Sequence, residues 1–585
     1  MKQRIFYLFL LFLFLIFSRF TFGQENYLFP LKENRELSSV FADHRDFHFH
    51  SGIDIKTGEK IGLEVYASKS GWAYRLFTSW WGYVKVVYLK HPDGKLTVYA
   101  HLSDFSEKLK KIVTEKQLEN RRYRVDILAS EFGSAGENTI WIERGELIGY
   151  SGETGVGDPH LHFEIRDENS KPLNPLTAGI FLQDTIAPVM QAIVIRPLDL
   201  NPLGDSSLEA KIYPLYFDST ERVFILKEIP IEEGKIGIEL SAYDEMVEKG
   251  SKFGIYKLEL YLDGLLVFSS HYDTIDFENS WKVELDRDFE LLQKGEGEFY
   301  KLFIDSGNDL PLYHSFNRGI LEFSKDSLHQ IIIQAQDACG NSSRAKIYLR
   351  VADIYAKTPV AAKDTGIFFT QNQVKIIGKS EDDLARVEID SGSVFRRINL
   401  QVEKLEKPVK ITQKLKSPLY SFSPSTVPLA KPAKISLTYK CKTCKPIKIG
   451  LYELSNYNFK FIGQEIDTLN NRVSGKVRNL STYALLEDTK PPEVKDIYPK
   501  PNARINGEKL IITAWIRDEL SGIGSDLDIK VFLDGEWLIP EYDPEKFVLI
   551  SKPLKTLSPG WHKLIIKAND RMGNEKKVKS KFKVI

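Results

Sequence analysis

Histidine is scarce in this chain, eleven in 585 residues, yet residues 47–55 read FHFHSGIDI and residues 158–165 read DPHLHFEI. On an extended strand, side chains alternate faces, so residues i, i+2 and i+4 point the same way. That periodicity sets His50 and Asp54 on one face, with Gly52 leaving room between them, and His160 and His162 on one face of a second strand. Two such strands meeting at those faces gather three imidazoles and one carboxylate. Zn2+ accepts these ligands, and three protein ligands with the fourth position open make a catalytic rather than a structural site. Singly the pieces are ordinary: HxxxD recurs by chance, and HxH more often marks a surface strand. Four residues past His48 stands Gly52, not an acid, so His48 reads as a packing or supporting residue.

The pieces also come in an order. HSGID is followed by VYAHL (98–102) and then by SGETGVGDPHLHFEI (151–165). This set resembles the lysostaphin/LytM-type zinc endopeptidases, whose motifs read HxxxD, Y-x-H-L, G-x-T-G and H-L-H-F-E. The stretches GLEVYASKSGWAY and ERGELIGYSGETG follow the same pattern, and the resemblance covers about residues 46–175. It implies that His50, Asp54 and His162 hold Zn2+, that His160 is the general base, and that His101 orients the attacking water or stabilises developing charge. Tyr99 reads as a packing residue, and Glu164 either as support for the ligands or as a solvated edge. The implied activity is hydrolysis of cross-links or stem peptides of bacterial cell-wall peptidoglycan. Two other readings stay open: a non-catalytic LytM-like regulator of other wall hydrolases, and a β-sandwich adhesin. Residues 103–144 depart from the pattern as an insertion containing a helix-like run, expected to form a wall or lid over the cleft. The glycines at 149, 152, 155 and 157 are not a phosphate loop, because no GK[ST] follows and the run enters a strand.

These segments need a scaffold, and the chain is long enough for several domains. Lys+Arg and Asp+Glu both total 80, which gives no reason to expect a nucleic-acid partner. Residues 1–23 read as a signal peptide: a basic start, an unbroken apolar run at 5–17, and small residues at Thr21 and Gly23. That run is short of the ~20 residues of a bilayer span, so no stable transmembrane span is expected, although an uncleaved anchor stays open. A peptidase domain is expected over 24–178. Beyond it, LELYLDG (258–264) resembles IKVFLDG (529–535), HQIIIQAQDACGN (329–341) resembles HKLIIKANDRMGN (562–574), and DTIAP (184–188) resembles DTKPP (488–492). Alternating runs closed by turn residues predict immunoglobulin-like β-sandwiches at 179–354, with an insertion, and at 488–585. A further sandwich is expected at 355–487, making the chain mainly β. His329 and His562 read as structural or solvated. With only Cys339, Cys441 and Cys444 present, no disulfide framework is expected; CKTC reads as structural or without a role rather than as metal or redox chemistry. These features fit export to the periplasm or outer envelope of a Gram-negative cell, with spacing the least demanding role for the sandwiches.

Overall fold

A computed structural model of the chain describes residues 27–131, 140–153, 157–198, 210–232, 234–323, 327–351, 367–369, 375–395, 398–408, 410–440, 445–508 and 510–585. The expected signal peptide, residues 154–156 of the glycine-rich turn and the CKTC cysteines lie outside the described residues. Among the described residues no helix is long and apolar enough to cross a membrane.

The N-terminal unit is built from strands Leu37–Ser39 (β1), His44–Arg45 (β2), His48–Phe49 (β3), Ile53–Lys56 (β4), Glu64–Tyr66 (β5), Gly71–Thr78 (β6), Lys85–Lys90 (β7), Leu96–Ala100 (β8), Leu102–Phe105 (β9), Val125–Leu128 (β10), Trp141–Ile142 (β11), Leu147–Ser151 (β12) and His160–Arg166 (β13). Runs such as KVVYLK and LTVYA are rich in β-branched and aromatic residues, which suit a pleated, buried surface. The main sheet runs β1–β4–β13–β8–β7–β6–β10, all antiparallel, and a smaller sheet runs β5–β12–β9. β13 is therefore a central strand, with His162 opposite Asp54 of β4 on one side and opposite Ala100 of β8 on the other. One face of the sheet fills the core with Ile53, Ile55, Val87, Leu89, Leu161 and Phe163.

The insertion supplies helix α1, Glu107–Asn120, which buries Leu109, Val113 and Gln117 along one face. That face packs on β6, β9 and β10. The helix thus buttresses those strands, its stripe of buried side chains spent against them, while residues 132–139 of the segment expected to form a wall or lid lie outside the described residues. The loop after α1 reaches the far end of the chain: Arg122 forms a two-pronged pair with Asp526 (2.8 and 3.1 Å), and Tyr123 joins the core of the C-terminal unit.

Beyond helix Pro175–Ala178 (α2), three two-sheet units follow, each with one core shared by its two sheets. The repeated sequences build repeated structure. Hairpins Lys257–Leu262/Leu265–His271 and Ile529–Leu533/Glu536–Leu538 both turn through Asp-Gly pairs at positive φ, Asp263–Gly264 and Asp534–Gly535. His329 Nδ1 donates to Asp263 (2.7 Å) and His562 Nδ1 to Asp534 (2.6 Å), so both histidines staple a turn.

The units form a closed circuit. Phe41 and Phe49 of the N-terminal unit enter the core of the second, whose Glu284 accepts from Phe47 N at 2.7 Å. Trp281 of the second unit stacks on Phe395 of the third at 5.6 Å, and Lys448 of the third donates to Met572 O of the fourth at 2.5 Å. The fourth returns to the first: Trp80 is buried beside Tyr542 and donates to Pro540 O (3.2 Å), and Lys85 pairs with Glu541. The sandwiches therefore wrap back onto the N-terminal unit, an arrangement unlike a string of spacers.

Candidate metal centre

Three side chains converge where β4 and β13 pair. His50 Nε2 lies 3.1 Å from Asp54 Oδ1 and 3.0 Å from His162 Nδ1, and His162 Nδ1 lies 2.8 Å from Asp54 Oδ1. The three residues are buried and form a group able to hold a metal ion. A triangle of that size lets one ion sit ~2.0–2.2 Å from each atom, the span of zinc–nitrogen and zinc–oxygen bonds. The donor set, two imidazoles and one carboxylate, fits zinc as well.

The sequence put His50 and Asp54 on one continuous strand; the chain instead breaks between β3 and β4 and folds the two side chains together across Ser51–Gly52. Gly52 has a specific reason to be glycine. A Cβ there would come within 2.3 Å of Phe163 O, so any side chain would push β13 away.

Each imidazole turns one nitrogen to the triangle and commits the other elsewhere. His50 Nδ1 donates to Val40 O at 2.7 Å. His162 Nε2 donates to Glu164 Oε1 at 2.9 Å. Partners of this kind fix the tautomer and leave a lone pair for the ion. Glu164 is fully buried and takes further hydrogen bonds from Ser51 Oγ (2.8 Å), Arg166 Nε (2.5 Å) and Tyr83 O–H. Of the two sequence readings of Glu164, support for the ligands is the one its burial matches.

Charge follows the geometry. Burial opposes ionisation of Asp54, but His50 and His162 outweigh it and hold the carboxyl well below its ordinary range. Burial would lower His162, yet its bonds to Asp54 and Glu164 raise it to about 9. Burial likewise opposes ionisation of Glu164, but Arg166 and then His162 hold it far below the ordinary carboxylate range.

The remaining sequence candidates stand around the triangle. His160 Nε2 is 3.8 Å from Asp54 Oδ1, while its Nδ1 donates to Asp158 O at 2.7 Å. His101 occupies the bend between β8 and β9 at φ 59°, its ring 4.8 Å from that of His160 and edge-on to it. Tyr99 is a core residue against Phe163, its hydroxyl accepting from Ser68 N. His48 is exposed and bonds to Asp46 O, away from the group. Sequence reasoning missed Tyr83, which stacks on His162 at 5.3 Å and bonds to Glu164. It also missed Arg166, four residues past His162 on the same strand face, which the period-2 pattern could have flagged.

Residues 48–118 match Peptidase family M23. DD-carboxypeptidase/endopeptidase Mpg of Neisseria meningitidis serogroup B is 30% identical over 135 residues, 23% of this chain and 24% of its own length. The Mpg of Neisseria gonorrhoeae matches with the same figures. The chain thus spans about a quarter of the length of the curated relatives it matches. Among solved structures, the catalytic domain of the prophage-encoded M23 protein EnpA from Enterococcus faecalis is similar at 20% identity, over 27% of this chain and 100% of that one, with a TM-score of 0.19. A zinc-containing peptidase from Vibrio cholerae is similar at 21% identity, over 26% and 39%, with a TM-score of 0.19. The N-terminal part of the chain carries a peptidase family M23 domain, the family to which the motif order pointed.

Proposed function

We propose that the chain is an exported zinc-dependent endopeptidase that hydrolyses peptide bonds of cell-wall peptidoglycan, acting in the periplasm or outer envelope. The observation that carries this reading is the triangle of His50 Nε2, Asp54 Oδ1 and His162 Nδ1, with the second nitrogen of each imidazole already hydrogen-bonded. Bound zinc supplies Lewis acidity, lowering the pKa of a water from ~15.7 to about 7 and polarising a carbonyl.

The protein's own groups do the rest. His160 is the general base: Asp158 O holds its Nδ1–H, which leaves Nε2 facing the triangle to take a proton and later deliver one to the leaving amine. An imidazole suits that exchange because its reference pKa is ~6.5. His101, edge-on to His160, lines the same side and steadies charge that develops beside it. The glutamate–arginine–tyrosine network behind His162 keeps that ligand in one orientation. The peptidoglycan substrate is supported by the family and by the named activity of the Neisseria relatives, which makes D,D-cross-links the first bonds to test.

The test is to incubate purified residues 24–585 with isolated sacculi and identify released muropeptides by mass spectrometry, with zinc content measured in parallel. Released peptides and one zinc are expected, both lost in His162→Ala. A wild-type protein that binds no zinc and releases nothing overturns the proposal in favour of a regulator.

A further inference from the structure

The two repeated units each gather three aspartates at one end, Asp184, Asp244 and Asp337 in the first and Asp488, Asp518 and Asp570 in the second. Within each triad, one oxygen from every carboxylate lies within 4.8 Å of the others. The positions correspond: Asp184 and Asp488 open the DT lead-ins, and Asp337 and Asp570 begin turns closed by Asn341 and Asn574. In both, the closing asparagine also donates to the lead-in backbone, Asn341 to Asp184 O and Asn574 to Asp488 O, each at 3.2 Å.

The triads differ in how their third carboxylate is met. Asp518 Oδ2 accepts from Gly522 N (2.7 Å) and Leu520 N (3.2 Å), and Asp488 accepts from Ser521 N (3.1 Å). In the first unit, Asp244 Oδ1 and Asp184 Oδ2 are sealed from solvent with no hydrogen-bond partner among the described residues, and Asp244 is only 2% exposed. A buried carboxylate oxygen without a donor is costly to maintain, so a proton or a cation must meet it. Burial, and then the charges of Asp337 and Asp184, push Asp244 up to about 8.

We propose that Asp184, Asp244 and Asp337 bind a hard divalent cation, calcium. The chemistry selects it: the donors are all oxygens, no imidazole or thiolate belongs to the triad, and hard cations take such sets. Calcium–oxygen bonds of ~2.3–2.6 Å allow ligand atoms as far as ~4.6–5.2 Å apart, which accommodates three carboxylate oxygens within 4.8 Å of one another, and flexible coordination lets waters fill the remaining places. The site opens on a cavity that Val40, Phe41 and Gly254 also line. Val40 O holds His50, and Gly254 N donates to Asp43 two residues after Phe41, so calcium braces the wall behind the peptidase centre.

Calcium chloride alone is titrated into the full-length, zinc-loaded protein by calorimetry, and thermal unfolding is followed with and without calcium. Wild type binds calcium and its Tm rises; Asp518→Asn keeps both effects, whereas Asp244→Asn loses both while retaining zinc and its circular-dichroism spectrum. Asp184→Asn is the parallel variant should Asp244→Asn not fold, and it too loses calcium. The proposal is overturned if wild type binds no calcium at millimolar concentration. It is equally overturned if calcium binding survives in Asp244→Asn, or Asp184→Asn in its place, including the case where Asp518→Asn alone abolishes it.

Discussion

Replacing Glu164 by glutamine tests the reasoning about the metal centre most directly, because it changes charge and donor pattern while keeping volume. Four donors converge on the carboxylate: His162 Nε2–H, Ser51 Oγ–H and Tyr83 O–H on Oε1, and Arg166 Nε–H on Oε2. A glutamine offers one accepting oxygen and one donating amide. In either orientation the buried guanidinium of Arg166 loses its anion, and breaking a buried pair costs ~3–5 kcal/mol; with the amide toward Arg166, two donors also face each other. With the amide toward His162, Nε2 must accept instead, and the proton moves to Nδ1, the atom that faces the triangle. Either arrangement weakens the site. Zinc affinity is expected to fall ~10–100-fold, as for other partners of metal-bound histidines. That is a loss of ~1.4–2.8 kcal/mol. Competition against a chromogenic chelator measures it, with urea unfolding of the metal-free protein reporting stability separately. Zinc affinity within twofold of wild type, together with unchanged metal-free stability, would refute the account of how His162 is held.

Three further outcomes are expected. His160→Ala should keep its zinc while kcat/KM on muropeptides falls ~10²–10⁴-fold, the usual worth of a positioned base; loss of zinc instead would make His160 a ligand. Trp80→Ala empties a pocket in the C-terminal core and should cost ~3–5 kcal/mol, which limited proteolysis reads as faster cleavage within the fourth unit. Glu239 is fully buried, and burial, with the like charge of Asp288 nearby, raises its pKa to about 8 against the opposing pull of Arg196. The folded state thus keeps a proton that the unfolded chain releases near ~4.3, so stability is fully present below about pH 4 and is lost as pH rises towards about 8. Glu239→Gln should flatten that slope in urea melts taken from pH 5 to pH 8.5, and an unchanged slope would rule Glu239 out as its source.

Much of the centre could be read from residue order because β-strand periodicity is local. The i, i+2 spacing of His160 and His162 survives into β13 unchanged. The repeat was equally legible, since hairpin, turn and closing asparagine are each set within a few residues. What escaped depends on contacts that sequence distance hides. Tyr83 reaches Glu164 from a loop 81 residues earlier and looks like any surface aromatic. Val40 holds His50 through a backbone oxygen, which any residue type supplies. The packing of the insertion was hidden because a helix-like run does not name its neighbour; Leu109 and Val113 meet strands, and Arg122 meets an aspartate 404 residues on. The aspartate triads were partly visible: two members of each lay in the repeated motifs, and Asp244 and Asp518 sit in AYDEM and IRDEL, whose shared Asp-Glu-apolar run is too short to stand out.

The circuit of four units has a mechanical meaning. Every unit touches two neighbours, through Phe49, through Trp281 and Phe395, through Lys448, and through Trp80. Opening one seam therefore leaves each body tethered by another, and swinging motion begins only when two seams part together. The metal centre of the N-terminal unit is therefore presented to any binding partner with the bulk of all four units behind it, and not at the end of a flexible arm.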